Sequence, residues 1–161
     1  MARRNQENAE CPAATDVTVV RKIPFVELVE LLEFNRLRFD VVGSSKRSAL
    51  LGVQEWQCGV CDEQASPPDG VYVCSTVEAL QKAVLPPDDT QLQIDLSSKR
   101  RIKLRALKAH ARGGSPRPTS LRVDVQALIS KVLVPAQAPA HLFEIVKHVV
   151  VSRLWVEVAR V

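Results

Sequence analysis

In a chain of 161 residues, 46% hydrophobic and 25% charged side chains suffice for one domain with a sizeable core, and aromatics at 4% make that core aliphatic. No apolar run approaches the roughly 20 residues that span a bilayer, and the opening MARRNQENAECPAATD lacks the hydrophobic stretch of a secretory signal. A membrane span and secretion are therefore not expected, and the four cysteines are expected to be reduced, in the cytoplasm or nucleus.

Residues 1–15 are polar and aperiodic and read as a disordered tail, with a single domain over 16–161. Asp16–Lys22, with Val17, Val19 and Val20, reads as a first strand. Pro24 then opens a helix, PFVELVELLEF, where a missing N–H costs least. Its apolar residues Phe25, Leu28, Val29 and Leu32 recur at helical spacing, and Glu27, Glu30 and Glu33 form a face expected to be solvated. Leu37, Phe39 and Val41 alternate with Arg36, Arg38 and Asp40 in a strand, and a turn follows over Gly43–Arg47. Leu50–Gln57 reads as a further strand, and Cys58–Gly70 as a loop closing on Asp69-Gly70. After a short strand, Val71–Cys74, either Ser75 or Thr76 can cap the helix VEALQKAVL; Glu78 stands where a capping box from Ser75 requires it, and Pro86-Pro87 ends the element. Leu92, Ile94 and Leu96 alternate in the next strand.

The order over 16–96 is compatible with a ferredoxin-like βαββαβ core. The whole reads as an α+β domain with a mixed or antiparallel sheet and three to five helices. Residues 99–112 fit either a strand or a helix. Strong helix formers, Ser98 as a cap and Gly113-Gly114 as a stop favour the helix, against the cations at its N-terminus. Gly113–Thr119 is a linker. Beyond it, Leu121, Val123 and Val125 suit a strand, or Asp124 caps the helix VQALISKVLV. The helix HLFEIVKHVV and an alternating strand, Leu154–Val158, complete the chain.

Charge singles out the segment 97–123. It holds nine Lys/Arg and no Asp or Glu, leaving 13 basic residues against 18 acidic in the rest of the chain. Such a block points to an anionic partner. Lys99, Arg100, Arg101, Lys103, Arg105, Lys108, Arg112, Arg117 and Arg122 are the candidate contacts. Arginine predominates among them, which suits phosphate. No aromatic lies between Tyr72 and Phe143 to stack on bases, so contact with the backbone of a nucleic acid, most naturally RNA, with low sequence specificity, is the expectation. Lys99-Arg-Arg101 also has the character of a nuclear-import signal.

On this reading the chain is a small regulatory protein and not an enzyme. No Walker loop, Gly-x-Gly-x-x-Gly, Gly-x-Ser-x-Gly or His-Glu-x-x-His is present. One alternative is an adaptor or inhibitor whose basic element docks on an acidic protein surface, or packs inside the molecule against Glu27–Glu33. Another is a zinc-stabilised or thiol-redox module at Cys58, Cys61 and Cys74, with Cys11, His110, His141 or His148 as the fourth ligand; no other cofactor is implied. Exposed sheet edges and valine-rich strands allow a homodimer.

Overall fold

A computed structural model of the chain describes residues 17–40, 50–59, 70–108 and 119–161. The disordered-tail reading of 1–15, the turn at 43–47, Cys11, Cys61, His110, Arg112 and Arg117 lie outside the described residues.

The chain folds as one α+β domain with a mixed sheet. Its middle strand is β1 (Thr18–Pro24), in which Val19, Arg21 and Ile23 share one face while Val20 and Lys22 share the other. Antiparallel β4 (Gly70–Thr76) pairs with all of β1, from Thr18↔Thr76 to Pro24↔Gly70. On its other side β1 pairs with β3 (Leu50–Cys58) only at Val19↔Cys58 and Val20↔Gln57. The remaining strands are β6 (Thr90–Asp95), β7 (Arg101–Lys108), β9 (Lys131–Val134) and β10 (Glu157–Arg160), and the order across the sheet is β10-β9-β4-β1-β3-β7-β6. β10 runs parallel to β9, and the other pairs are antiparallel.

A second sheet, β2-β8-β5, is built from β2 (Arg36–Phe39), β8 (Thr119–Val123) and β5 (Val84–Leu85). Because β2 leaves the large sheet, the arrangement differs from the ferredoxin-like βαββαβ sheet that the element order allowed. The two sheets touch where Asp40 and Val53 exchange backbone hydrogen bonds of 2.8 and 3.1 Å. Gly52 makes that approach possible: a Cβ there would lie 2.7 Å from the Cβ of Phe39 and 3.1 Å from the carbonyl oxygen of Asp40.

Helix α1 (Phe25–Phe34) follows β1 directly and buries Leu28, Leu31 and Leu32. It ends on Asn35, whose left-handed backbone (φ 50°) suits asparagine as a helix terminator. The core joins these leucines to Val19, Ile23, Trp56, Val71, Val73, Leu104 and Val146, among others. Aliphatic side chains dominate it, as the composition requires. A smaller cluster of Val20, Tyr72 and Cys74 occupies the opposite face of β1 and β4, where the Lys22 ammonium sits 5.5 Å from the Tyr72 ring centre.

Helix α2 (Val77–Ala83) is capped by Thr76, whose hydroxyl accepts a 3.1 Å hydrogen bond from the amide of Ala79. Ser75 does not cap it, since its buried hydroxyl donates to the carbonyl of Leu128 at 2.6 Å. The helix stops at Ala83, and Val84-Leu85 peel off as β5 before the two prolines. Both readings of the stretch after Gly113–Thr119 prove partly right. Residues 119–123 form β8, Asp124 caps helix α3 (Val125–Leu128), and Lys131–Val134, expected as helix, becomes β9. Asp124 accepts from the amides of Gln126 and Ala127, both at 3.1 Å. Thr76→Ala and Asp124→Ala are each expected to cost about 1 kcal/mol, as lost N-caps do, read as a lowered urea midpoint at unchanged slope. Helix α4 (Ala140–Val151) buries Val146 and Val150. Among the described residues no helix is long and apolar enough to cross a membrane.

Candidate functional site

The basic segment is not a helix. Residues 101–108 form β7, with Ile102, Leu104 and Ala106 buried in the core and Arg101, Lys103 and Lys108 exposed. Alternation with period two overrode helix propensity because β3 offers a full-length partner, from Trp56↔Ile102 to Gly52↔Ala106. Arg101, Lys103 and Arg105 line the side of β7 turned away from the core, as strand parity requires. Arg101 pairs with Glu55 at 2.9 Å and Arg105 with Asp95 at 3.1 Å, while Lys99 and Arg100 lie in the exposed approach to β7. Arg122 belongs to β8, in the other sheet. Hydrogen bonds from Ser97 hold the Asp95 carboxyl below its usual range, with Arg105 and Lys103 assisting. The stripe expected of a helix gives way to this strand row of Arg101, Lys103 and Arg105, and Lys108 takes the other parity.

The thiols do not converge either. Cys58 is opposite Val19, and Cys74 is opposite Val20. Paired residues share a face and successive residues of β1 point to opposite faces, so Cys58 and Cys74 stand on opposite sides of the sheet. A zinc ion cannot bridge them. Burial pushes the Cys58 thiol above its usual pKa, the reverse of what a redox nucleophile needs. Among the described residues no three His, Cys, Asp or Glu gather where a metal could sit, and His141 and His148 are both exposed.

The acidic face of α1 is not merely solvated. Glu27 lies 3.2 Å from Arg21, Glu30 receives Arg38 through contacts of 3.0 and 2.7 Å, and Glu33 receives Arg153 at 2.5 Å. Spacing at i, i+3 and i+6 aligns the three carboxylates along one flank of the helix. Their partners come from β1, β2 and the end of α4, not from the basic segment, which removes the internal docking of that segment on Glu27–Glu33.

These pairs frame a cleft. Beyond Val20 the register between β1 and β3 ends, and the gap between those strands faces α1 and β2. A small hollow of about 10 Å³, the room of a single water, is lined there by Arg21, Glu27, Arg36 and Arg38, with Trp56, Leu31 and other apolar side chains as walls. At its floor, Arg21 occupies the inward position between Val19 and Ile23 on the central strand, and its side chain is only 11% exposed. Burial pushes its guanidinium pKa down, opposed by Glu27 and then Asp40. Its Nη1 is buried and makes no hydrogen bond of good geometry, although Glu27 Oε1 is 3.2 Å away. At the rim, Arg36 Nη1 donates to Ser120 Oγ at 3.3 Å, and Arg38 is held by Glu30. Trp56 is fixed behind them: its Nε1 donates to the buried Gln54 Oε1 at 2.7 Å, and Gln54 Nε2 donates to the carbonyl of Arg38 at 2.8 Å.

Sequence reasoning passed over this cluster because its members are not consecutive. The available signal was parity: in Val19-x-Arg21-x-Ile23 an arginine takes a core-facing position of a strand.

The fold and cleft define an α+β domain with a buried arginine facing a small, cation-lined hollow. No family model and no curated protein matches the chain. Among solved structures it is similar to DarT of Thermus sp. 2.9 in complex with NAD+, at 11% identity and a TM-score of 0.48 over 93% of this chain and 96% of that one. The same protein in complex with carba-NAD+ gives 10% identity and a TM-score of 0.47 over 94% and 97%. The expectation of a non-enzymatic, RNA-binding regulator is not carried forward: Arg101 and Arg105, two of its central contacts, are already paired with Glu55 and Asp95, and Arg122 stands in the other sheet. The zinc or thiol module falls with the placing of Cys58 and Cys74 on opposite faces of the sheet.

Proposed function

We propose that the chain binds a pyrophosphate-bearing nucleotide across the mouth of the hollow at Arg21, which itself admits no more than a phosphate oxygen or a water. One observation carries the reading: a guanidinium buried on the central strand, with a nitrogen that lacks a well-aligned acceptor. Arginine cannot shed its proton and presents five donors, so a buried one calls for anionic acceptors, which phosphate oxygens supply in matching bidentate geometry. Arg36 and Arg38 add two further guanidinium groups at the rim. NAD+ is the first probe, being both a pyrophosphate and the ligand of the DarT structures.

Titration calorimetry with NAD+, ADP and inorganic phosphate tests this. The nucleotides are expected to bind, and Arg21→Ala to weaken them by about 10- to 100-fold, the effect of losing about 1.5–3 kcal/mol in charged hydrogen bonds. Arg21→Lys is expected to fall between, since it keeps the charge and loses the fork. Nicotinamide release, followed in the same samples, reports turnover. A wild-type protein that binds neither nucleotide, or a folded Arg21→Ala variant of unchanged affinity, would overturn the reading.

A further inference from the structure

The large sheet ends on β6, and among the described residues nothing pairs with its outer edge. Exposed edges invite pairing with another chain, and proteins ordinarily guard them with charge, proline, bulges or brevity. The other outer strands here carry such guards. β10 carries Glu157 and Arg160, and its end is tied back by the Val161 amide donating to the Val134 carbonyl at 3.0 Å. β2 carries Arg36 and Arg38, and β5 is two residues long and runs into Pro86-Pro87.

β6 has none of these guards. Its sequence, TQLQID, contains no Lys, Arg or Pro, and its register with β7 runs unbroken from Thr90↔Lys108 to Asp95↔Lys103. Its one charge, Asp95, is already engaged by Arg105. Leu92 and Ile94 are half-buried and pack against the main core. Beside the strand runs an open groove lined by Val84, Pro86, Leu92 and Ile94, with Gln81, Asp88, Thr90 and Gln91 as its polar members.

We infer that β6 is a dimerisation edge, pairing antiparallel with β6 of a second copy about a two-fold axis through Gln93. This goes beyond the nucleotide reading and does not depend on it. The strand is self-complementary in that register. Gln93 meets its own copy, Leu92 meets the copy's Ile94 on the apolar face and Ile94 meets the copy's Leu92. Gln91 meets the copy's Asp95, an amide against a carboxylate. Over residues 91–95 every pair matches polar with polar or apolar with apolar, as cross-strand pairs require, and no like charges oppose; Thr90 falls opposite the exposed Leu96, just past the strand. The copy's Leu92 and Ile94 extend the apolar face toward Val84 and Pro86. Two seven-stranded sheets become one continuous sheet, an isologous arrangement of the kind closed dimers use.

Light scattering on the full chain, with disulfide trapping, tests the edge and its register. At high micromolar concentration the wild type is expected near twice the 17.8 kDa monomer mass. Gln93→Lys sets two ammonium groups face to face and is expected to weaken dimerisation about tenfold or more; circular dichroism checks that this exposed substitution leaves the monomer folded. Gln93→Cys is expected to oxidise to a linked dimer, because directly opposed residues have Cα atoms about 4.5–5.5 Å apart, inside the range of about 4.4–6.8 Å that a disulfide spans. Gln91→Cys lies roughly 14 Å from its copy at the strand rise and is expected to cross-link no more than the wild-type cysteines do. A wild type that remains monomeric overturns the inference. So does a dimer indifferent to Gln93→Lys, or a Gln91→Cys variant that links as readily as Gln93→Cys.

Discussion

Trp56→Ala is expected to destabilise the domain by about 4–8 kcal/mol, enough to unfold most of it at 37 °C, given the marginal stability of single domains. Trp56 is 1% exposed and among the largest fully buried side chains. Truncating a buried tryptophan costs about 3–5 kcal/mol in lost transfer energy and cavity. A second cost arises because the indole N–H satisfies Gln54, which is itself wholly buried. Losing that donor leaves the Gln54 carbonyl oxygen without a partner, a penalty of about 1–3 kcal/mol. Chemical denaturation measures the sum. Trp56→Phe separates its parts, since it keeps most of the volume and forfeits only the hydrogen bond; a loss near 2 kcal/mol is expected from it, within the range for an orphaned polar group. Equal losses from the two variants would show that the Gln54 contact, and not the packing, sets the cost.

Gly52→Val is expected to cost about 3 kcal/mol or more, the upper range for overpacking a dense interior. The requirement is one of space and not of backbone freedom. Gly52 sits at the irregular register between Leu50 and Gly52, where β3 and β7 realign and where β2 crosses against β3. A Cβ there would fall 2.7 Å from another Cβ and 3.1 Å from a backbone oxygen, neither of which can swing aside as the end of a flexible side chain would. Relief must come from moving β2. That strand carries Arg36 and Arg38, so the variant is expected to weaken nucleotide binding even where it remains folded. Gly52→Ala applies the same displacement more mildly, about 1–2 kcal/mol within the same overpacking range. Measuring stability and NAD+ affinity in both variants checks the coupling: a lowered melting point with wild-type affinity would show that the cleft does not depend on this crossing.

The cleft's parts were each present in the chain as ordinary features. Glu27, Glu30 and Glu33 had the spacing of a solvated helix flank, and nothing local distinguishes a carboxylate facing water from one facing a guanidinium. Arg36 and Arg38 alternate with Leu37 and Phe39 like any polar side of a strand. Only Arg21 broke a local pattern, by standing on the inward side of β1. The run of cations is contiguous and its Arg101, Lys103 and Arg105 share one face of β7, but acidic residues of the neighbouring strands, Glu55 and Asp95, already pair with two of them.

From the amino-acid sequence alone follow the α+β class, the aliphatic core, helix α1 opened at Pro24, the cap at Asp124 and the strands of strict alternation around Leu37 and Leu92. Each depends on residues a few positions apart, which periodicity and capping chemistry report directly. Residues 101–108 show where that reach ends. Their composition favours a helix and their alternation a strand, and the choice fell to β3, a partner about fifty residues earlier that supplies a ladder of hydrogen bonds no local propensity can match. The departure of β2 into a second sheet and the placing of Cys58 and Cys74 on opposite faces were likewise fixed by long-range pairing. So was the hollow at Arg21, which exists because β1 and β3 stop pairing after Val20, and registers of that kind are set between strands and not within them.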